Sequence, residues 1–348
     1  MDHNFLIYPL YQQLRGVTLS DALTAFDNLN ESELSYQIID RYFGAFGVGN
    51  VVQAVNAPYE RFVCYEFLLT MLRQRNVSKF EKMHKGTPYY FLAWTAFDIR
   101  DYERAVYYLD AALAEDIRLW PGQWMNTPIG MVLTLQEGGA AIRIIKEIRE
   151  KFQELISQVF TDVQIKIDIQ VFIEKFVLTI IKQNKKNRSI VTSLYSFILE
   201  FYDREEMLLL RSSERGTIEP FLMHLLKGVV IFETLIKEVA DRNVWKMDSG
   251  NQKGSYIKTL GNLDYCSAFT SKYCKLEDQD TIRNIQDVLN AISKNDLETA
   301  INVTYLLRNK VSHDLRWDDI FDNPVNYEKL FRQIINAILI VIHKEFLV

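Results

Sequence analysis

The stretch TIEPFLMHLLKGVVIFETLIKEVA, residues 217–240, has a regular hydrophobic pattern. Its apolar side chains recur every three or four residues, which is the spacing of one helix face. That face carries Leu222, Leu225, Leu226, Val229, Phe232, Leu235 and Ile236. The pattern predicts one long amphipathic helix, on which Glu233 and Lys237 lie four residues apart and can form an ion pair.

The composition of the whole chain favours helices over strands. Gly (14) and Pro (7) are scarce among 348 residues, whereas strand-rich and loop-rich proteins usually contain more of both. The length is sufficient for a sizeable core and favours two domains. The formal net charge of −5 gives no general attraction to nucleic acid, so any such contact must be local.

Two helical domains are predicted, at residues 1–212 and 213–348. The polar segment SSERG at residues 212–216 is the best candidate for the boundary between them. After residue 240, helices are predicted near 260–273, 281–292, 297–309 and 327–346, with a polar loop at 247–256. The last helix is apolar on several sides, which is typical of a helix buried between layers or at a dimer interface.

The first domain contains a predicted helix-turn-helix unit between residues 87 and 116. Small residues, Ala105 and Ala112, allow two helices to approach closely, and large aromatic residues such as Tyr90 and Trp94 fill the gaps. The unit resembles one tetratricopeptide-type repeat. Since one such unit cannot bury its own faces, neighbouring hairpins must stack on it. Stacks of this kind form concave surfaces, so a protein or nucleotide activator is a candidate partner; alternatively, the unit is only a spacer.

Residues 117–190 allow two interpretations. Thr127-Pro128 is typical of a helix start, yet Met131–Leu135 is also a plausible buried strand. Apolar residues then alternate from Val163 to Ile173, which is the period of a strand. The fold class is therefore predicted as mainly all-α, with a small β-containing insertion as an open alternative in this region.

The short sequence Arg308-Asn309-Lys310-Val311-Ser312-His313 places three functional side chains at the end of a predicted helix. Arg308 has a permanent charge and fixed donors, and His313 can change protonation state near neutral pH. On an ideal helix Asn309 and His313 share a face, whereas Arg308 and His313 diverge by roughly 140°. The three side chains can converge only if the long side chain of Arg308 extends around the helix, if the helix frays there, or if a second copy of the helix completes the site. The last option predicts a homodimer.

The pattern Arg-Asn-x-x-x-His resembles the signature of the HEPN superfamily, given the apolar helices before and after it. The resemblance covers residues from 217 to the C-terminus. It implies an all-helical, dimeric domain and, as in many members, a metal-independent endoribonuclease. Some members carry a Tyr two residues after the His, where this chain has Leu315. HEPN nucleases of CRISPR systems usually carry a Rossmann-like sensor domain, whereas the N-terminal half here is predicted to be helical.

The resemblance also implies roles for individual residues. His313 is expected to act as general base or acid, Arg308 to bind the scissile phosphate, and Asn309 to orient His313 or the phosphate. Ser312, Glu233 and Lys237 are expected to support them, with Glu233 near Arg308 or simply in a surface ion pair. The expected reaction gives 2′,3′-cyclic phosphate ends and needs no cofactor or metal. A role in antiviral defence or as a regulated toxin follows by analogy. The alternative is a non-catalytic helical module or scaffold that binds a nucleotide or a protein.

The strongest basic run in the chain lies in the sequence KQNKKNR, residues 182–188. Its charged members are Lys182, Lys185, Lys186 and Arg188. They are candidates for an RNA-approach patch, although charge runs of this size also occur as solvated turns.

The cysteine content and the two ends of the chain indicate the compartment. Cys64, Cys266 and Cys274 are few, odd in number and without metal-ligand spacing, which favours a reducing environment. The N-terminus lacks the positive region of a signal peptide, and the apolar run from Ala337 to Ile342 is too short to span a membrane. We therefore expect a cytoplasmic protein that does not bind membranes.

Overall fold

The computed structural model describes residues 19–30, 58–139, 141–183, 188–211, 216–243, 263, 289, 297–310 and 318–348. Every regular element in those ranges is helical, which confirms the prediction of a mainly all-α protein. None of the described helices is long and apolar enough to cross a membrane. Contacts divide the chain into two compact units, Met1–Glu147 and Ile148–Val348. The domain boundary at 212–213 was drawn from sequence character and stays a prediction.

The first unit is built from short and medium helices. The described ones are α1 (Leu19–Asn28), α2 (Pro58–Arg75), α3 (Val77–Lys82), α4 (Gly86–Asp98), α5 (Tyr102–Leu119) and α6 (Pro128–Leu133), and α7 (Ile142–Val163) begins here and continues into the second unit. Helix α4 packs on α5 and on α2, and α1 packs on α2. A single 3-10 turn, Trp124–Asn126, precedes α6.

Helices α4 and α5 form a tight helical hairpin. Arg100 adopts a left-handed conformation (φ 59°) where the chain reverses, and the Asp101 side chain then accepts the backbone N–H of Arg104 to cap α5. Ala105 and Ala112 are buried where the helices meet. The hairpin predicted between residues 87 and 116 is confirmed. The finer likeness to a tetratricopeptide repeat stays a prediction.

The β-containing insertion suggested for residues 117–190 is wrong for the part of that range that the structure describes. Thr127 caps α6 by accepting the N–H of Gly130, so Met131 lies in a helix. Between α7 and the next helix, residues 164–168 form an unpaired connection that buries Ile165 and Ile167. The alternating pattern there reflects an extended linker lying against a core, not a strand, because none of its described neighbours is a strand with which it can pair.

The second unit consists mainly of long helices. They are α8, which runs through Ile169–Val171, the π-helical Phe172–Val177 and Leu178–Gln183, then α9 (Ser189–Leu210), α10 (Glu219–Arg242), α11 (Leu297–Lys310), the short α12 (Asp318–Phe321) and α13 (Pro324–Ile342), followed by a π-helical turn, His343–Leu347. Helix α13 contacts α9, α10 and α11. The helix predicted from residues 217–240 corresponds to α10, and the motif helix corresponds to α11.

Helix α13 forms the centre of the second unit. Every side chain from Ala337 to Ile342 has no exposed surface, so this end of the helix is buried on all sides. Helix α10 approaches it closely at Gly228, where a Cβ atom would overlap the ring of Phe197 and lie 2.7 Å from Ile334 Cγ2. The prediction of a last helix that is apolar on several sides and buried is confirmed.

A buried histidine links three helices of this core. His224 on α10 donates its Nε2–H to the carbonyl oxygen of Phe197 on α9 (2.7 Å) and accepts the Tyr327 hydroxyl of α13 at Nδ1 (2.7 Å). Its ring stacks on that of Phe197, with the centroids 4.5 Å apart. Burial is the main reason that the pKa of His224 lies well below its usual value of 6.5, so the neutral ring is the stable form.

We expect Gly228→Ala to lower the free energy of unfolding by about 1–3 kcal/mol, because the added methyl group must displace Phe197 or Ile334 in a packed core. Urea denaturation followed by circular dichroism measures the loss. Gly122→Ala is the matched control, since a Cβ atom there meets no other atom within 4 Å. Equal denaturation midpoints for the two variants would contradict the close approach of α10 to α9 and α13.

We also expect acid to destabilise the protein partly through His224. Below about pH 6.5 the unfolded chain takes up a proton at this residue while the folded protein does not, so unfolding becomes more favourable by up to about 1.4 kcal/mol per pH unit. Above that pH the ring is neutral in both states and adds no pH dependence. Urea midpoints between about pH 5 and pH 8 should therefore fall more steeply for wild type than for His224→Gln. Parallel curves would show that the ring titrates normally in the folded state.

Candidate functional site

The candidate motif begins on the last turn of α11. Arg308 is described with its side chain, and Asn309 only through its helical backbone. Ser312 and His313 lie outside the described residues. The convergence of Arg308, Asn309 and His313 therefore stays a prediction, and the geometry of the site is built from Arg308 and its neighbours.

Arg308 is held against α10 by Glu233. Its Nε donates to Glu233 Oε2 at 3.0 Å, and Nη2 lies 3.4 Å from Oε1. The Arg308 side chain is 34% exposed and that of Glu233 is 15% exposed, so the ion pair lies at the edge of the packed helices. Two donors on one carboxylate fix the plane of the guanidinium. Glu233 and Arg308 are thus in contact across the two helices, and their roles in a reaction stay predictions.

Lys237 completes this cluster one turn further along α10. Its Nζ lies 2.8 Å from Glu233 Oε1, and its side chain is 52% exposed. Burial alone would raise the pKa of Glu233, but the hydrogen bonds from Arg308 and Lys237 lower it overall. Glu233 is therefore ionised at neutral pH. One carboxylate with two cations leaves the cluster with a net charge of about +1, which suits a single anionic group.

The predicted basic patch is described only in part. Lys182 is exposed near the end of α8, and Arg188 immediately precedes α9, whereas Lys185 and Lys186 lie outside the described residues. Its role in approaching RNA stays a prediction.

The structure contains a buried ionic cluster that the sequence analysis did not identify. Glu200 on α9 is 2% exposed and accepts hydrogen bonds from Ser196, one turn earlier, and from Lys227 of α10 at 2.5 Å. Arg204 lies 3.4 Å from its other oxygen. Ser196, Glu200 and Arg204 follow one another at four-residue spacing, which was the available signal. Because Lys227 of α10 binds Glu200 of α9, the cluster holds the two helices together. Its carboxylate is too deeply buried to meet a substrate.

A second buried pair, His84 and Asp116, lies in the first unit. Nε2 of His84 is 3.3 Å from Asp116 Oδ1, and both residues are almost fully buried. The sequence separation of 32 positions gave no signal for this contact. Among the described residues, no group of three or more His, Cys, Asp or Glu side chains is arranged to hold a metal ion.

Comparison with protein-family models, with curated proteins and with solved structures finds no match for this chain. The geometry of the described residues and the sequence motif are therefore the basis for the functional conclusion.

Proposed function

We propose that the protein is a metal-independent endoribonuclease of the HEPN type that acts as a homodimer. The observation that carries this proposal is the contact between Arg308 and Glu233. It holds a partly exposed guanidinium in a fixed orientation five residues before His313. Lys237 adds a second positive charge beside it. A fixed positive charge next to a titratable imidazole is the combination needed to cleave a phosphodiester.

In the proposed reaction the ribose 2′-oxygen attacks the adjacent phosphorus. A bond forms between the 2′-oxygen and phosphorus while the bond from phosphorus to the 5′-oxygen breaks, which gives a 2′,3′-cyclic phosphate and a 5′-hydroxyl. His313 accepts the proton of the 2′-hydroxyl or donates one to the leaving 5′-oxygen. Arg308 stabilises the charge that develops on the phosphate oxygens, and Asn309 and Ser312 orient the reacting groups.

A second copy of the chain would bring Arg308 and His313 together. The two residues diverge by roughly 140° on one ideal helix, so a composite site across a two-fold axis relieves the constraint. Helix α10 exposes Met223 (49%) and Val230 (52%) at a seven-residue spacing that continues to Lys237. This stripe runs beside Glu233 and offers apolar surface for an isologous contact next to the proposed site.

The rest of the chain would regulate this site and guide RNA to it. Lys182, Lys185, Lys186 and Arg188 would guide RNA by local charge, as a chain with a net charge of −5 requires. The helical first unit would bind an activator, and the nuclease would serve in antiviral defence or as a regulated toxin. These roles rest on the family resemblance and on the helical hairpin α4–α5.

A non-catalytic module is the second candidate, and the Arg308–Glu233 ion pair also favours it. A bidentate pair between α10 and α11 can simply hold the two helices together. In that case Arg308 contributes to stability and not to a reaction. The two candidates differ in what they predict for His313: an enzyme needs this residue for cleavage, whereas in a non-catalytic module it would bind a nucleotide together with Arg308 or hold the dimer.

We expect purified wild-type protein to cleave labelled single-stranded RNA in excess EDTA, leaving cyclic-phosphate ends, and His313→Ala to lose this activity because the proton-transfer group is gone. His343→Ala is the matched control, since His343 lies in the C-terminal turn outside the motif. Dimer mass and thermal unfolding should match between wild type and His313→Ala. Cleavage by His313→Ala at the wild-type rate, or loss of wild-type cleavage in EDTA, would exclude the proposed mechanism.

We expect Arg308→Ala to slow RNA cleavage about 100-fold or more, as observed when one charge-stabilising donor is removed from an active site. Arg308→Lys should recover little of the cleavage rate, since an ammonium cannot reproduce the two parallel hydrogen bonds that orient the guanidinium on Glu233. Single-turnover rates measure both effects. Arg73→Ala serves as control, because Arg73 is an exposed residue of the first unit. A structural role alone would instead lower the unfolding midpoint of Arg308→Ala and leave the cleavage rate of the folded fraction unchanged.

A further inference from the structure

The first unit contains a cavity of about 460 Å³ that the nuclease proposal does not use. It lies where the start of α4, the end of α5 and the start of α6 meet. Its volume falls within the range of small-molecule binding sites. The walls are largely apolar and aromatic, and include Tyr90, Phe91, Trp120 and Ile129.

One carboxylate faces this cavity from a nearly buried position. Asp116 lines it and is 5% exposed. A Cβ atom on Gly86 would lie 2.5 Å from Asp116 Oδ1, so glycine at this position lets the carboxylate sit against the first turn of α4. The lining residues that the structure describes include no Lys or Arg. Oδ1 of Asp116 also lies 3.3 Å from His84 Nε2, so the cavity presents a carboxylate beside a buried histidine and no lining side chain with a permanent positive charge.

Trp120 and Asp116 lie next to each other in the cavity wall. They lie one turn apart at the end of α5, and the backbone N–H of Trp120 donates to the carbonyl oxygen of Asp116 at 2.7 Å. The Trp120 ring meets the His84 ring edge to face, with the centroids 5.0 Å apart. This contact fixes the indole beside the carboxylate. An aromatic face next to a carboxylate is the arrangement that binds organic cations.

Tyr90 adds aromatic surface to the cavity wall, since it lines the cavity and is 5% exposed. Gln123 and Asn126 are exposed lining residues and supply polar atoms at the rim.

We propose that this cavity binds a small organic cation, a ligand with a protonated amine and a flat or apolar body. The amine pairs with the Asp116 carboxylate while the body packs against Trp120 and Tyr90. A nucleotide is a poor fit, because its phosphates would meet a carboxylate and no basic lining residue. The site lies in the first unit and its function does not depend on the nuclease proposal.

Three indole compounds of similar size test the charge preference directly. Tryptamine carries the amine, tryptophol a neutral hydroxyl, and indole-3-acetate a carboxylate. Isothermal titration of the full-length protein should show tryptamine binding at least about tenfold more tightly than tryptophol and no binding of indole-3-acetate. Equal binding of all three, preference for indole-3-acetate, or no heat from tryptamine at up to about 10 mM would overturn the proposal.

Variants of the lining residues test whether tryptamine binds in this cavity. Asp116→Asn keeps the side-chain shape, removes the charge and should weaken tryptamine at least about tenfold. Asp110→Asn, on the same helix outside the cavity lining, should bind like wild type. Because Asp116→Asn can fail to fold, Asn126→Trp offers a second route: it changes an exposed rim residue and should block entry. Undiminished tryptamine binding by folded Asp116→Asn, or by Asn126→Trp, would overturn the assignment.

Discussion

The second unit depends on the burial of the C-terminal half of α13, where every residue from 333 to 342 is buried. A helix with apolar side chains on every side must be surrounded, and α9, α10 and α11 supply the surrounding surfaces. This requirement sets the position of the candidate site. Helices α10 and α11 contact each other because both pack on α13, and their contact brings Glu233 to Arg308 although 75 positions separate them. A site at this place is thus a consequence of how the core is filled.

The polar groups inside this core are satisfied in ways that tie particular helices together. His224 joins α9, α10 and α13 through one carbonyl and one hydroxyl, and Glu200 joins α9 to α10 through Lys227. Apolar packing alone tolerates small slips of one helix along another, whereas a buried hydrogen bond is lost when such a slip occurs. These contacts therefore define the register of α10, and with it the position of Glu233 at the edge of the unit.

The features that could be predicted from the sequence are those that depend on the local spacing of apolar residues. Residues 217–240 and the hairpin between 87 and 116 have strong helical spacing, and both are helical in the structure. The strand prediction failed because alternation at Ile165 and Ile167 reports which side of an extended chain is buried, not whether a partner strand exists. The Asp116–His84 contact could not be predicted, since it depends on how distant helices pack. His313 lies outside the described residues, so its part in the site still rests on the motif.

The charges of the two units argue for different ligands. The cluster of Arg308, Lys237 and Glu233 has one positive charge in excess, while the cavity lined by Asp116 offers a carboxylate and no basic lining residue among those described. A phosphodiester is attracted to the first and repelled from the second, and the reverse holds for an amine. A polyanionic substrate and a small cation would therefore occupy separate sites without direct competition.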